Sequence, residues 1–410
     1  MSPAPAVPDP AGDGLDEDDD RLARDEAASG ASDGSGEAGN DGRGPVSADR
    51  TAATLHELVS GSAVIVCCGS GGVGKTTVSA TFALAAARLG RRSCVVTVDP
   101  ARRLADALGV ESLPNTPTEV KGPWPGRLHA LMLDSKGTFD DLVEHYARTP
   151  EQAESILANR LYQNLAGALS GTQEYMAMEK LYELVTSKEF DIVVVDTPPT
   201  RNALDLLDAP RRLTRFLENR LFRALLVPTR MSLRAVGVAT QALLRTVAKV
   251  AGAEIVQDAV TFFQAFEGME DGFRTRASAV RELLADPGTA YILVTSARPD
   301  AVAEASFFAE KLNERDVEVA ALVVNRLAPS FGVPDAAAGA ATVPVPVPVP
   351  DLDALESNLA ELNEVAALEA AAYGGLAAQV APAPVGRIPL FGQDVHELEG
   401  LQRAADCLFP

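Results

Sequence analysis

Cysteine is scarce in this chain: Cys67, Cys68, Cys94 and Cys407 are the only four among 410 residues, and none forms a C-x-x-C pair. Their spacing excludes a disulfide framework and a structural zinc cluster, and it fits a reduced, cytoplasmic setting. Basic charge is also short. Lys and Arg number 36 against 57 Asp and Glu, a net charge of −21, which speaks against nucleic acid as a partner because a phosphate backbone would be repelled. No uninterrupted apolar run reaches the ~18 residues of a membrane span, and the first residues do not read as a leader. The expectation is a protein without a stable membrane span, peripheral to a membrane at most. What the chain does have is apolar content, 47% of residues, enough for a sizeable core.

The charge is unevenly distributed. Residues 1–50 hold 13 acidic and 4 basic side chains among Gly, Ser, Ala and Pro, so residues 1–52 read as a disordered acidic tail and 53–410 as the folded part. The folded part opens on the apolar run Ala63–Cys68. Next comes Gly69-Ser70-Gly71-Gly72-Val73-Gly74-Lys75-Thr76-Thr77, which reads G-x-x-x-x-G-K-T, a phosphate-binding loop between a strand and an alanine-rich helix. Such a loop needs glycine so that backbone N–H groups can close around a triphosphate, with the positive end of the helix beneath it. Lys75 is then placed to reach the β- and γ-phosphates and Thr76 to offer its hydroxyl to Mg²⁺.

Further β-branched runs follow at Ser93–Val98, Phe190–Val195, Tyr291–Thr295 and Val319–Val324, separated by long helical stretches. That alternation predicts an α/β fold of the P-loop NTPase kind: a mostly parallel sheet, helices on both faces, and a helical subdomain. Ligands in such sheets sit at the carboxyl ends of the strands, where the loop, Asp99, Asp196 and Asn325 all fall. The excess length after the second and third strands places the helical subdomain in 136–185 and 203–286. Leu213, Phe216, Leu217, Leu221 and Leu225 form one apolar stripe there, and Phe262, Phe263, Phe266, Met269 and Phe273 a denser one. Helix packing is the favoured reading of these stripes, with an apolar groove for a client segment as the alternative. The Val-Pro repeat in 333–350 reads as an extended linker. Leu352, Leu355, Leu359 and Leu362 mark an amphipathic helix that packs on the domain or on a partner.

Taken in order, the glycine loop, Asp99-Pro100-Ala101, Asp196-Thr197-Pro198-Pro199-Thr200, Val324-Asn325-Arg326 and Ile388-Pro389-Leu390-Phe391 resemble the ArsA family of ATPases, its actinobacterial members above all. That family includes the arsenite-pump ATPase and the ATPase that targets tail-anchored membrane proteins. The resemblance implies an ATP- and Mg²⁺-dependent dimeric switch whose opening and closing drive the helical subdomain. It implies that Asp99 activates the attacking water with Lys75 as its catalytic companion, where the bare sequence also allows Asp99 as a helix N-cap. By the same resemblance Asp196 holds the Mg²⁺ water shell, Thr200 senses the γ-phosphate, Asn325 reads the adenine edge, and Pro389 and Leu390 border the base. Asp300 stands where the family has an acidic nucleotide contact, and an N-terminal helix cap is an equal reading.

The chain departs from the family at Ser70, where a lysine that crosses the dimer is usual. A homodimer would lack that charge in both sites. Either Arg102 or Arg103 turns inward to replace it, or a lysine-bearing paralogue pairs with this chain as a heterodimer. The alternatives to a self-sufficient ATPase are therefore an ATP-binding, weakly hydrolysing subunit of such a heterodimer, and a chaperone for hydrophobic membrane segments. The four cysteines are not placed to bridge a metalloid.

Overall fold

In the computed structural model the described residues are 48–99, 101–160, 162–163, 172–198, 208–209, 211, 215, 258, 261–262, 265, 268–330 and 352–410. Thr200, the apolar stripe of Leu213 to Leu225, Phe263, Phe266 and the Val-Pro repeat lie outside them. Four parallel strands build the centre: β1 (Val64–Cys68), β2 (Arg92–Thr97), β5 (Ile192–Asp196) and β6 (Thr289–Thr295). On one side β4 (Arg127–Met132) adds parallel to β2, and the short β3 (Thr118–Val120) closes that edge antiparallel. On the other, β7 (Val319–Leu327) and β8 (Val385–Pro389) continue in parallel. The order across the sheet is β3-β4-β2-β5-β1-β6-β7-β8.

Strands buried on both faces lose the alternation of a half-solvated sheet and read as unbroken β-branched runs. Their side chains still alternate in space. Val64, Val66, Val193 and Val195 point into one apolar layer, and Ile65, Cys67, Ile192 and Val194 into the other. The second layer is roofed by α1 (Ala48–Gly61), α2 (Lys75–Arg88), α3 (Arg103–Leu108) and the C-terminal α10 (Leu398–Leu408). Phe409 ties three of these together, meeting Phe82 of α2 and His56 of α1 edge-on at 5.3 Å each. Small side chains let α2 lie close against the sheet: Ala80, Ala83 and Ala85 to Ala87 are buried, where bulkier residues would hold the helix away.

The first layer is roofed by α4 (Ser135–Tyr146), α5 (Pro150–Leu157), α6 (Thr172–Thr186), α7 (Glu270–Leu284), α8 (Pro299–Asn313) and part of α9 (Leu352–Gln379). Asp134 and Thr149 cap α4 and α5 by accepting from the backbone N–H groups of Lys136 and Gln152. Among the apolar residues of the second stripe, proposed for a core or a client groove, Phe262, Met269 and Phe273 are buried. Phe273 meets Phe139 and Tyr146, and Phe262 stacks on Tyr162, so these positions are interior packing.

One sequence expectation needs correction, and two are refined. The tail does not run to residue 52: α1 begins at Ala48, and Thr51 and Leu55 are already buried. Ahead of the helical segment expected from 136, residues 118–132 form the β3–β4 hairpin at the sheet edge, which the sequence reading did not assign. Of the two readings of the leucine stripe that opens α9, on the domain or on a partner, packing on the domain is not what Leu355 and Leu362 do. Leu355, Leu362 and Leu368 are 55%, 42% and 65% exposed, and burial of this helix begins only at Tyr373 and Leu376. Among the described residues, no helix is long and apolar enough to cross a membrane.

Candidate nucleotide-binding site

The loop leaves β1 at Cys68 and enters α2 at Lys75, as the motif requires. Two neighbouring strands hem it in. Gly69 lies so close to β6 that a Cβ there would stand 2.1 Å from the Val294 carbonyl oxygen. Gly74 has φ 92°, and a Cβ on it would stand 2.1 Å from Asn325 Nδ2. Only glycine meets both conditions, a close approach at one position and a left-handed backbone at the other.

Lys75 folds back over the loop, and its Nζ donates to the Ser70 carbonyl at 2.9 Å. Burial lowers the Lys75 pKa, partly opposed by the nearby Asp196 carboxylate. Asp196, at the end of β5, is 1% exposed. Its Oδ2 accepts from the hydroxyls of Thr76 and Thr97, each at 2.8 Å, while Oδ1 is buried without a hydrogen-bond partner. Burial pushes this carboxyl up to about 6; the two hydroxyls and Lys75 pull the other way, and Asp99 adds to the rise. A buried carboxylate oxygen left open beside a threonine hydroxyl is the donor set a hard divalent cation prefers.

Asp99 borders the same cleft from the end of β2, with its side chain 14% exposed. Its Oδ1 accepts from the Ala101 N–H at 2.9 Å in an Asx turn, and Oδ2 faces Arg103 Nη1 at 3.4 Å. The helix-cap alternative does not hold, since α3 starts at Arg103 with Arg102 in the capping position. Of the two arginines proposed to turn inward, Arg103 lines the cleft and Arg102 donates instead to the Glu111 carbonyl. Sequence reading passed over Thr97. Its hydroxyl accepts from the Asp99 N–H at 3.2 Å while donating to Asp196, which joins the ends of β2 and β5. Thr197 was also missed, and it fastens β5 to β1 by donating to the Cys67 carbonyl at 2.8 Å. Both are threonines at strand ends, a pattern too common to stand out.

On the other flank Asn325 of β7 is buried. Its Nδ2 donates to the Val73 carbonyl at 2.9 Å and its Oδ1 accepts from the Arg326 N–H at 2.9 Å. The residue expected to read a base thus spends part of its amide bracing the loop. Pro389 and Leu390 line the rim beyond it, with Leu390 58% exposed. The resulting cleft holds about 330 Å³. Since β2, β5, β1, β6, β7 and β8 lie side by side at ~4.8 Å per step, the site stretches over roughly 24 Å of sheet edge. Asp300 does not enter this cleft. It sits in the first turn of α8, paired with Arg298 at 2.6 Å, on a second hollow of about 370 Å³ that Ser70, Gly71 and Val73 also line. Among the described residues no cluster of His, Cys, Asp and Glu could hold a metal ion by itself.

Comparison with known proteins gives the family. Residues 62–332 match the ArsA ATPase family, described as anion-transporting ATPase. The chain is 34% identical over 153 residues to the ATPase GET3 of Malassezia globosa, covering 37% of this chain and 44% of that one. It is 32% identical over 151 residues to the ATPase asna-1 of Caenorhabditis elegans, covering 35% and 43%. A longer match, 32% over 262 residues, joins it to an uncharacterized protein of Streptomyces coelicolor and covers 64% and 61%. In each case less than two thirds of the relative's own length is spanned. With its P-loop, its paired strand-end aspartates and a family match over most of the folded part, this chain belongs to the ArsA family of ATPases.

Proposed function

We propose that this chain is a cytoplasmic, Mg²⁺-dependent ATP hydrolase that works as a dimeric nucleotide switch, with segments 136–185 and 203–286, the second largely outside the described residues, as the part that responds. The observation carrying the reading is the open Oδ1 of Asp196. It is buried beside the Thr76 hydroxyl at the mouth of a phosphate loop, where nothing among the described residues satisfies it. Thr76 and Asp196 would hold Mg²⁺, which when bound supplies positive charge to the β- and γ-phosphate oxygens. The remaining work falls to the chain's own residues. Backbone N–H groups of the loop and the Lys75 ammonium receive the phosphates. Asp99, fixed by the Ala101 N–H and turned toward the cleft, is positioned to take a proton from water. Asn325, Pro389 and Leu390 border the nucleoside end.

A second reading is favoured by Ser70, which brings no cation to the loop. In it the chain binds ATP, hydrolyses it weakly, and gains the missing charge from a lysine-bearing partner subunit. The burial of Phe262, Met269 and Phe273 gives no support to a chaperone groove built from those side chains.

Steady-state hydrolysis of Mg²⁺-ATP by the purified chain, beside Asp99→Asn and with ATP binding measured for both, tests the proposal. Turnover by wild type, with binding retained and turnover reduced at least ~100-fold in Asp99→Asn, supports a self-sufficient hydrolase. Binding without turnover in either protein supports the partner-dependent reading. Absence of ATP binding overturns both.

A further inference from the structure

The ladder between β7 and β8 is irregular at one place only, between Val324 and Leu327. Val324 pairs with Arg387 and Leu327 with Pro389, so three steps along β7 oppose two along β8. The extra residue forms a bulge, and a bulge re-aims the side chains it carries. Those side chains are Asn325 and Arg326. Arg326 has φ 61°, a left-handed backbone that an L-residue adopts at a cost of about 1 kcal/mol or more. A non-glycine residue keeps that conformation when something holds it there. Here its backbone N–H is held by Asn325 Oδ1 and its guanidinium by the phosphate loop, where Nη1 donates to the Gly72 carbonyl at 3.0 Å.

The two side chains of the bulge therefore seize consecutive loop carbonyls, Asn325 that of Val73 and Arg326 that of Gly72. These carbonyls lie between two glycines with positive φ, Gly72 at 80° and Gly74 at 92°. A peptide run of this kind is an anion-binding nest when its N–H groups converge, and they converge only while the carbonyls face the opposite way. Arg326 is also the one side chain of the bulge region that borders both hollows flanking the loop, the nucleotide cleft and the one beside Asp300. Among the described residues it makes no ion pair.

We infer that Arg326 is a positioning residue for phosphate binding: from the β7 bulge it holds the Gly72 carbonyl outward and so keeps the loop N–H groups aimed at the phosphates. This rests on the proposal that the loop binds a triphosphate. It adds that the loop is shaped from β7 as well as by its own glycines. The strained backbone at Arg326 is what brings the guanidinium onto the loop.

The test uses the full chain as wild type, Arg326→Gly and Arg326→Lys. Affinities for Mg²⁺-ATP and for inorganic tripolyphosphate are measured by calorimetry, and the thermal midpoint of each ligand-free protein is recorded. Glycine accepts φ 61° without strain but offers no donor, so backbone relief and loss of the guanidinium are read separately. The expected result is a loss of about tenfold in affinity for both ligands in Arg326→Gly, the scale of one charge-assisted hydrogen bond. Its thermal midpoint should equal or exceed that of wild type, and Arg326→Lys, which keeps one charged donor, should recover part of the loss. Unchanged tripolyphosphate affinity in Arg326→Gly overturns the inference. Loss confined to ATP also overturns it, by assigning Arg326 to the nucleoside, and a lowered midpoint overturns it by assigning Arg326 to folding. Failure of wild type to bind ATP while tripolyphosphate still binds in the expected pattern would sink the proposed function and leave the role of Arg326 standing.

Discussion

Asp196 carries the most tension of any single side chain in the site. Its carboxyl is raised from 3.8 to about 6, chiefly by burial. The folded protein therefore binds an extra proton between those values. Its contribution to stability is fully present below about pH 4 and is lost as pH rises through about 6. Asp196→Asn keeps an oxygen for the Thr76 and Thr97 hydroxyls and removes the buried charge. It should thus be more stable than wild type above pH 6 by up to about 2–3 kcal/mol, with the gap closing as pH falls toward 4. Urea unfolding of both proteins at pH 4.5 and pH 7.5 checks this, and a variant less stable than wild type at pH 7.5 would contradict it. The same charge is what the site needs for a cation. Mg²⁺ should support ATP binding in wild type less well as pH falls and Asp196 takes up its proton, and the Asn variant should show a weaker Mg²⁺ dependence that varies less with pH.

At the scale of elements, the loop is shaped by the strands on either side of it as much as by its own residues. A methyl group on Gly69 meets the backbone carbonyl of Val294 near the end of β6, where pairing with Val323 of β7 holds the strand in place. On Gly74 it meets the amide of Asn325, which can turn away. Gly69→Ala should accordingly destabilise by about 3 kcal/mol or more and abolish nucleotide binding. Gly74→Ala should cost less, and pairing it with Asn325→Ala should recover part of that cost, because the cavity left by the amide accepts the methyl. A double-mutant cycle in urea measures this coupling, and simple additivity of the two single variants would refute it.

These contacts also show what sequence could and could not reveal. The loop, the strands behind Asp99 and Asp196, and their meeting at one sheet edge were legible because buried parallel strands are unbroken β-branched runs, and the topology places strand ends together. The β7 bulge was not legible. Val319–Val324 reads as a strand that ends before Asn325, whereas pairing with β8 carries β7 on to Leu327, and nothing local marks Arg326 as left-handed. The β3–β4 edge escaped notice because Arg127–Met132 has no uniform run and takes its strand character from pairing with β2. In α9 the leucine spacing announced a helix correctly. Which part of it would be buried depended on where α8 and β7 lie, which periodicity does not encode.

For the whole molecule, the charge of the cleft bears on whether one chain is enough. Among the described residues, Lys75, Arg103 and Arg326 line it with positive charge, and Asp99, Asp106 and Asp394 line it with an equal number of carboxylates. Asp196 lies just beneath. Such a lining offers a triphosphate, with its several negative charges, no net attraction. Phosphoryl transfer also develops charge that must be met in the transition state. Ser70 adds none, and Arg103 is already turned toward Asp99. The described residues leave a deficit that, on the proposed reading, Mg²⁺ and groups of a second subunit at the open side of the loop would meet. The exposed leucines of α9 and the hollow beside Ser70 and Asp300 leave apolar and polar surface available there, since Glu369 of α9 lines that hollow too. Specific hydrolytic activity should therefore rise with protein concentration, in step with ATP-induced dimerisation followed by light scattering. Leu362→Glu with Leu368→Glu, at positions exposed in the single chain, should leave the thermal midpoint within about 2 °C of wild type and shift the activity curve to higher concentration. Activity per chain that stays constant down to concentrations where only monomer is present would show that the cleft is complete in one subunit. In that case Arg103 and Arg326 would have to supply between them the charge that Ser70 lacks.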